Sequence, residues 1–346
     1  MSSNLFKPLK LGNIQLQHRL VMAPMTRFRA DDEHVPLPFV AEYYAQRAST
    51  PGTLLITEGT FIAPKAGGGN DNVPGIWNEA QIAGWKKVAD AVHAKGSFIF
   101  VQVWALGRAA ELEDLQKELG PDAKVVSASD ILKKGGDKPM PLTEEKIKEY
   151  ISFYAEAAKN AIAAGFDGVE VHNANGYLPD QFLQDVSNIR IDAWDGSIEN
   201  RARFGIEIAK AIVEAIGTER TGELKKLKLA YIHVVNLLRD KDEDDKDDPA
   251  TINFLVDLWD NQSPVLIAGG YEQATARKPA DEGFKEKDVA IVFGHYFISN
   301  PDLVFRIQEG IDFTPADRSK YYNPKQEDGY TTWPFSKEWE ARFGKL

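Results

Sequence analysis

The sequence predicts an α/β barrel of the (β/α)8 TIM type, irregular and short by about one strand. Three observations carry this. Short apolar runs alternate along the chain with longer segments of helical periodicity, as in a parallel sheet covered by helices. The unit recurs more than six times, which favours a closed barrel over an open sheet. Seven strand runs can be counted, and where another is due, after Gly222, the chain runs straight into Glu223-Leu224-Lys225-Lys226.

Leu11–Leu20 (LGNIQLQHRL) reads as a hairpin turning at Gly12-Asn13, a glycine-bearing pair suited to a tight turn. Leu20–Met25 is the first strand. In Val35–Ser49 the residues Phe39, Val40, Tyr43 and Tyr44 recur at helical spacing. Thr53–Glu58 is the second strand, and Ala66–Asn72 (AGGGNDN) is a glycine-rich loop without the Gly-Lys-Ser/Thr of a P-loop. A helix over Ala80–Ala94 leads to a third strand, Ser97–Trp104. Residues 109–141 form a polar insertion with a short helix, and Thr143–Ala164 is a long helix with Thr143 as its N-cap. The fourth strand is Phe166–Val171, followed by a helix over Ser197–Gly217. The remaining strands are Leu227–Val235, Pro264–Gly269 and Asp288–Phe293, all within a single domain over 1–346. An open seam after the fourth strand would be closed directly, patched by GTERTGELKK, or covered by a second copy in a homodimer, because bare strand edges invite pairing.

Composition narrows the function classes. A net charge of −11 argues against nucleic acid and anionic membrane as partners. There is no cysteine, so disulfides and thiolate metal sites are excluded. The first residues, MSSNLFKPLKLG, lack the apolar core of a secretory signal. No apolar run of about 18 residues exists to span a membrane. A cytoplasmic enzyme with a small-molecule substrate is the expectation. The six histidines are scattered without a metal-ligand spacing, so no metal is expected. The charge run Asp240–Asp248 (DKDEDDKDD) reads as a solvated loop.

The chemistry gathers in Gly165–Asn200, GFDGVEVHNANGYLPDQFLQDVSNIRIDAWDGSIEN. His172, Asn173, Asn175 and Tyr177 follow immediately on a buried-type strand, and α/β folds place their chemistry past the carboxyl ends of strands. His172 and Asn175 are three apart, so an imidazole N–H and an amide N–H can converge on one oxygen and polarise a carbonyl. Tyr177 adds a phenol able to give a proton.

The pattern HxxNxYLxxQF, followed by SNxRxD and GSIENRARF, resembles the old yellow enzyme family of flavin-dependent ene-reductases. PMTRFRA (Pro24–Ala30), PGTLLITEGT (Pro51–Thr60) and FISNPDL (Phe297–Leu303) extend the resemblance from Phe6 to about Pro334, with wording closest to fungal members of ergot-alkaloid type. The resemblance implies a barrel whose bottom is closed by the N-terminal hairpin. It implies FMN as cofactor, with NADPH reducing an unsaturated carbonyl. By position, Thr26 and Gln102 would hydrogen-bond the flavin, with Gly59, Pro24 and Met25 against its ring. His172 and Asn175 would hold the substrate carbonyl, and Tyr177 would protonate the adjacent carbon. Trp104 and Tyr322 would line the substrate pocket. Gly269, Gly270, Gly294 and His295 occupy the phosphate-binding positions.

Three departures stand against that implication. The strand after AIGTERTG, which carries a cation against the flavin, is absent. His295 stands in GHYF where the family has an arginine for the flavin phosphate. Asp195 replaces a turn glycine, at a position expected to need φ > 0. An anion that loses a charged partner typically loses about 2–5 kcal/mol, so the cofactor expected is none, or weakly bound FMN. The leading expectation is therefore flavin-independent acid–base chemistry on an enone: isomerisation, cyclisation or a pericyclic step. The alternatives are an FMN-dependent ene-reductase and an inactive paralogue or binding protein.

Overall fold

A computed structural model describes residues 3–69, 71–217, 221–222, 229–235 and 250–344. Its centre is one curled sheet of parallel strands. These are β1 (Leu20–Met22), β2 (Leu54–Phe61), β3 (Phe98–Trp104), β4 (Gly168–Val171), β5 (Thr221–Gly222), β6 (Ile232–Val235), β7 (Val265–Ala268) and β8 (Val289–Phe293). They pair in the order β6-β7-β8-β1-β2-β3-β4-β5, all parallel.

Successive residues of a strand face opposite sides of its sheet, and this sorts the core into two layers. Leu20, Met22, Leu55, Ile99, Val101, Val103, Ile267 and Ile291 pack outward, in the same cluster as Trp85, Ile147, Tyr154, Phe204 and Ile208 of the helices. Val21, Leu54, Ile56, Phe100, Leu266, Ala290 and Val292 pack inward. The inward layer also holds Leu9, Leu11, Ile14 and Leu16. These belong to an antiparallel hairpin, Leu9–Leu11 against Ile14–Leu16, whose turn has Gly12 at φ 53°. The hairpin therefore plugs the amino-terminal end of the barrel. It starts and ends earlier than the expected Leu11–Leu20, because Leu20 already belongs to β1.

The strand counted as missing is present among the described residues as a two-residue pairing. Thr221 and Gly222 pair with Val169 and Glu170 of β4, so GTERTGELKK does patch the seam, over two residues. Among the described residues no backbone ladder joins β5 to β6. Residues 223–226, Leu227 and Lys228 of the expected fifth strand, Asn70 of the glycine-rich loop, and the charge run Asp240–Asp248 lie outside the described residues.

Other boundaries moved for local reasons. The helix expected from Val35 starts at Val40, because Pro36 and Pro38 disfavour helical backbone at the residues before them. β2 continues past Glu58 to Phe61, with a register shift between Ile56 and Gly59. The insertion holds a helix, Leu112–Leu119, and a short pair, Val126–Ser127 with Met140–Pro141. The long helix Glu144–Ala163 is capped as expected, the Thr143 side chain accepting from the Lys146 N–H at 3.3 Å. Asp195 is not strained: the positive φ of that turn, 92°, falls on Gly196. No helix is long and apolar enough to cross a membrane among the described residues.

Candidate active site

A cavity of about 480 Å³ opens at the carboxyl ends of the strands. It is lined by Pro24, Met25 and Thr26 after β1, Gly59 of β2, Gln102 and Trp104 of β3, and His172, Asn175 and Tyr177 after β4. His295 and Tyr322 line it from the far side. Of the positions singled out in the sequence, only Gly269, Gly270 and Gly294 are absent from its wall. They follow or precede the lining residues Ala268 and His295.

The loop bearing His172, Asn175 and Tyr177 is held from beneath by Gln181, which is fully buried. Its amide nitrogen donates to the carbonyls of Leu106 at 2.9 Å and Gly176 at 2.7 Å, and its oxygen accepts from Arg108 N–H at 3.0 Å and Ser127 Oγ at 2.9 Å. The Gly176 N–H donates to Asp180 Oδ2 at 2.7 Å. Gly107, at φ 60°, lies so close that a Cβ there would come within 2.2 Å of the Gln181 oxygen. Asn175 sits at φ 59°, a left-handed geometry that asparagine tolerates better than most residues.

Aromatic packing sets the wall. Tyr177 meets Trp104 edge to face at 4.8 Å and His172 at 4.8 Å. Trp104 lies against Gly59, where a Cβ would come within 2.7 Å of the indole. Burial lowers the His172 imidazole to a pKa of about 4, so it is neutral at ordinary pH. Burial also raises the Tyr177 phenol. The mouth is shaped by a C-terminal segment clamped from inside. The buried Arg27 guanidinium donates to the carbonyls of Tyr321 at 3.0 Å and Gly329 at 2.8 Å, and Arg29 to that of Gln326 at 2.9 Å. This seats Tyr322 at the rim, 5.7 Å from the Phe28 ring.

The floor holds residues to which the sequence reading gave no role. Glu170 of β4 is 5% exposed. It accepts from Gln102 Nε2 at 2.8 Å, Tyr231 Oη at 2.9 Å and His233 Nδ1 at 3.0 Å. Burial by itself would raise this carboxyl, but His233 and the three hydrogen bonds outweigh it and the pKa is lowered. Glu170 is on β4, beside the two-residue β5, and His233 is on β6, so side chains reach across the seam that no described backbone ladder closes. The sequence signal was present: Glu170 stands between Val169 and Val171, at inward parity in an apolar strand.

The Gln102 amide nitrogen, assigned by resemblance to the flavin, is committed to Glu170. Burial, and then Arg318, lower the His295 imidazole. No Lys or Arg is among the described residues lining the cavity, nor do the described residues hold a cluster of three or more metal-ligating side chains.

The sequence signature of the NADH:flavin oxidoreductase / NADH oxidase family matches residues 4–225. The chain is 48% identical to chanoclavine-I aldehyde reductase fgaOx3 of Penicillium roqueforti (strain FM164), over 98% of each chain. That alignment spans 366 positions, more than the 346 residues here, so the relative carries residues this chain lacks. It is 45% identical to the probable inactive reductase easA of Epichloe festucae var. lolii, over 98% of this chain and 97% of that one. The old yellow enzyme of Pichia sp. AKU4542 superposes with a TM-score of 0.85 at 35% identity, over 97% of this chain and 94% of that one. The chain thus belongs to the NADH:flavin oxidoreductase / NADH oxidase family, that of old yellow enzyme.

Proposed function

We propose that this cavity binds an unsaturated carbonyl compound and moves protons on it without hydride, as an isomerase or cyclase. The observation that carries the reading is the pairing of two features. His172, Asn175 and Tyr177 line the cavity with side chains that hydrogen-bond to no other described residue, while the floor presents a buried carboxylate and no Lys or Arg is among the described lining residues. FMN brings a phosphate and a ring that becomes anionic on reduction. The described residues offer that charge no Lys or Arg in the cavity wall, and His295 is lowered toward neutrality.

The chemistry follows from the donors. A neutral His172 can give an N–H to the carbonyl oxygen without bringing a full charge, and Asn175 can give a second. Such donors gain strength as negative charge develops on the oxygen. Tyr177 stands beside His172 to return a proton to carbon. A relative's name as an aldehyde reductase supports a carbonyl substrate for this chain.

The test is turnover of an enone with and without NADPH, together with the absorbance spectrum after gel filtration. Expected are no flavin at stoichiometry, turnover without NADPH, and losses of roughly 10²–10³ for His172→Ala and Asn175→Ala. Full activity in the double variant would refute the reading. Strict dependence on NADPH would favour the FMN-dependent reductase, which the names of the relatives and the retained Thr26 and Gly59 support.

A further inference from the structure

We infer that His233 is a second proton-transfer residue of this cavity, its imidazole facing the substrate and its orientation set by Glu170. This rests on the proton-transfer reading above and names a further group within it.

Three observations converge on the ring. His233 lines the cavity. Its Nδ1 lies 3.0 Å from Glu170 Oε2, and an ionised carboxylate accepts, so Nδ1 carries the proton. Its Nε2 is buried without a hydrogen-bond partner among the described residues. A buried polar nitrogen left unpaired is uncommon and points to a missing partner. With Nδ1–H given to Glu170, the neutral form of the ring would present the Nε2 lone pair, which is what a general base requires. Glu170 is in turn fixed by Tyr231 and Gln102, so the base has an orienter with its own support. Glu170 is accordingly a positioning residue.

The step balances on an enone with a γ C–H. Nε2 takes the γ proton, and the C–H pair becomes the β,γ double bond. The former α,β π pair moves to the carbonyl carbon–α bond, and the carbonyl π pair moves onto oxygen, where His172 and Asn175 donate. The dienolate then takes the Tyr177 proton at the α carbon, which restores the carbonyl and leaves the β,γ-unsaturated isomer. The proton on His233 returns to the phenolate through solvent, so no oxidant or reductant is consumed.

The experiment is deuterium wash-in to cyclohex-2-enone in heavy water, followed by proton NMR at the α and γ carbons, with the full chain. The wild-type protein should label the γ position. His233→Asn, which keeps a donor near Nδ1 and lacks Nε2, should lose γ labelling by roughly 10²-fold or more. His233→Ala should lose it too and regain part on addition of free imidazole, which a merely structural role would not permit. Glu170→Gln should slow labelling about tenfold at unchanged half-saturation by the enone. Tyr177→Phe should keep γ labelling and lose α delivery. Wild-type γ labelling in His233→Asn, or no γ labelling in the wild type, overturns the inference. If His172→Ala abolishes labelling while His233→Asn does not, the carbonyl site stands and His233 alone is wrong. If His172→Ala labels like the wild type, the underlying reading fails.

Discussion

Glu58 allows a stability prediction with its sign and size set by the structure. It lies on β2, 2% exposed, beside the cavity residue Gly59. Its Oε2 accepts from the backbone N–H of Arg27 at 2.9 Å and of Phe28 at 3.2 Å. Burial nevertheless raises its pKa from 4.5 to about 7, against the lowering effects of those N–H groups and of Arg27 and Arg29. The folded state therefore keeps a proton that the unfolded chain releases. Stability from this group is complete below pH 4.5 and lost as pH rises through about 7. The full effect is about 3 kcal/mol, at 1.36 kcal/mol per tenfold change. Between about pH 5 and pH 8 the loss is roughly 2.5 kcal/mol. Urea unfolding at intervals across that range measures it, with Glu58→Gln as the reference that cannot ionise. The difference between wild type and variant should shift by that amount as pH rises, with unchanged slope in denaturant. Parallel stability curves would refute the assignment.

Two further outcomes test the site. Glu170→Ala strands the donors of Gln102, Tyr231 and His233 and removes the side-chain bridge between β4 and β6. It should cost roughly 3–5 kcal/mol in urea unfolding, and a loss below about 1 kcal/mol would show the bridge to be idle. The His172 ring, lowered to about 4 by burial, should show no titration in its NMR shifts between about pH 8 and pH 5.5; a midpoint near the ordinary histidine value would contradict its burial.

The sequence by itself determined what local chemistry determines. Alternation of apolar runs with helical periodicity placed the strands. The glycine-asparagine turn placed the hairpin, and the spacing of His172, Asn175 and Tyr177 marked one end of β4. The shortfall after Gly222 was legible too, because a missing strand is a matter of counting. Tertiary structure decided the rest. Glu170 and His233 are separated by 63 positions, and only the curl of the sheet brings β4 and β6 within hydrogen-bond reach. The sequence reading gave neither residue a role, because their meeting depends on that curl. The same distance effect explains the contact of Gln102 with Glu170, 68 positions away, which its place on β3 did not announce. Asp195 was misjudged on a smaller scale: which of two adjacent residues takes positive φ depends on how the turn docks, and here Gly196 takes it. Burial by many segments at once, which sets the properties of Glu58 and His172, has no counterpart in the linear order of residues.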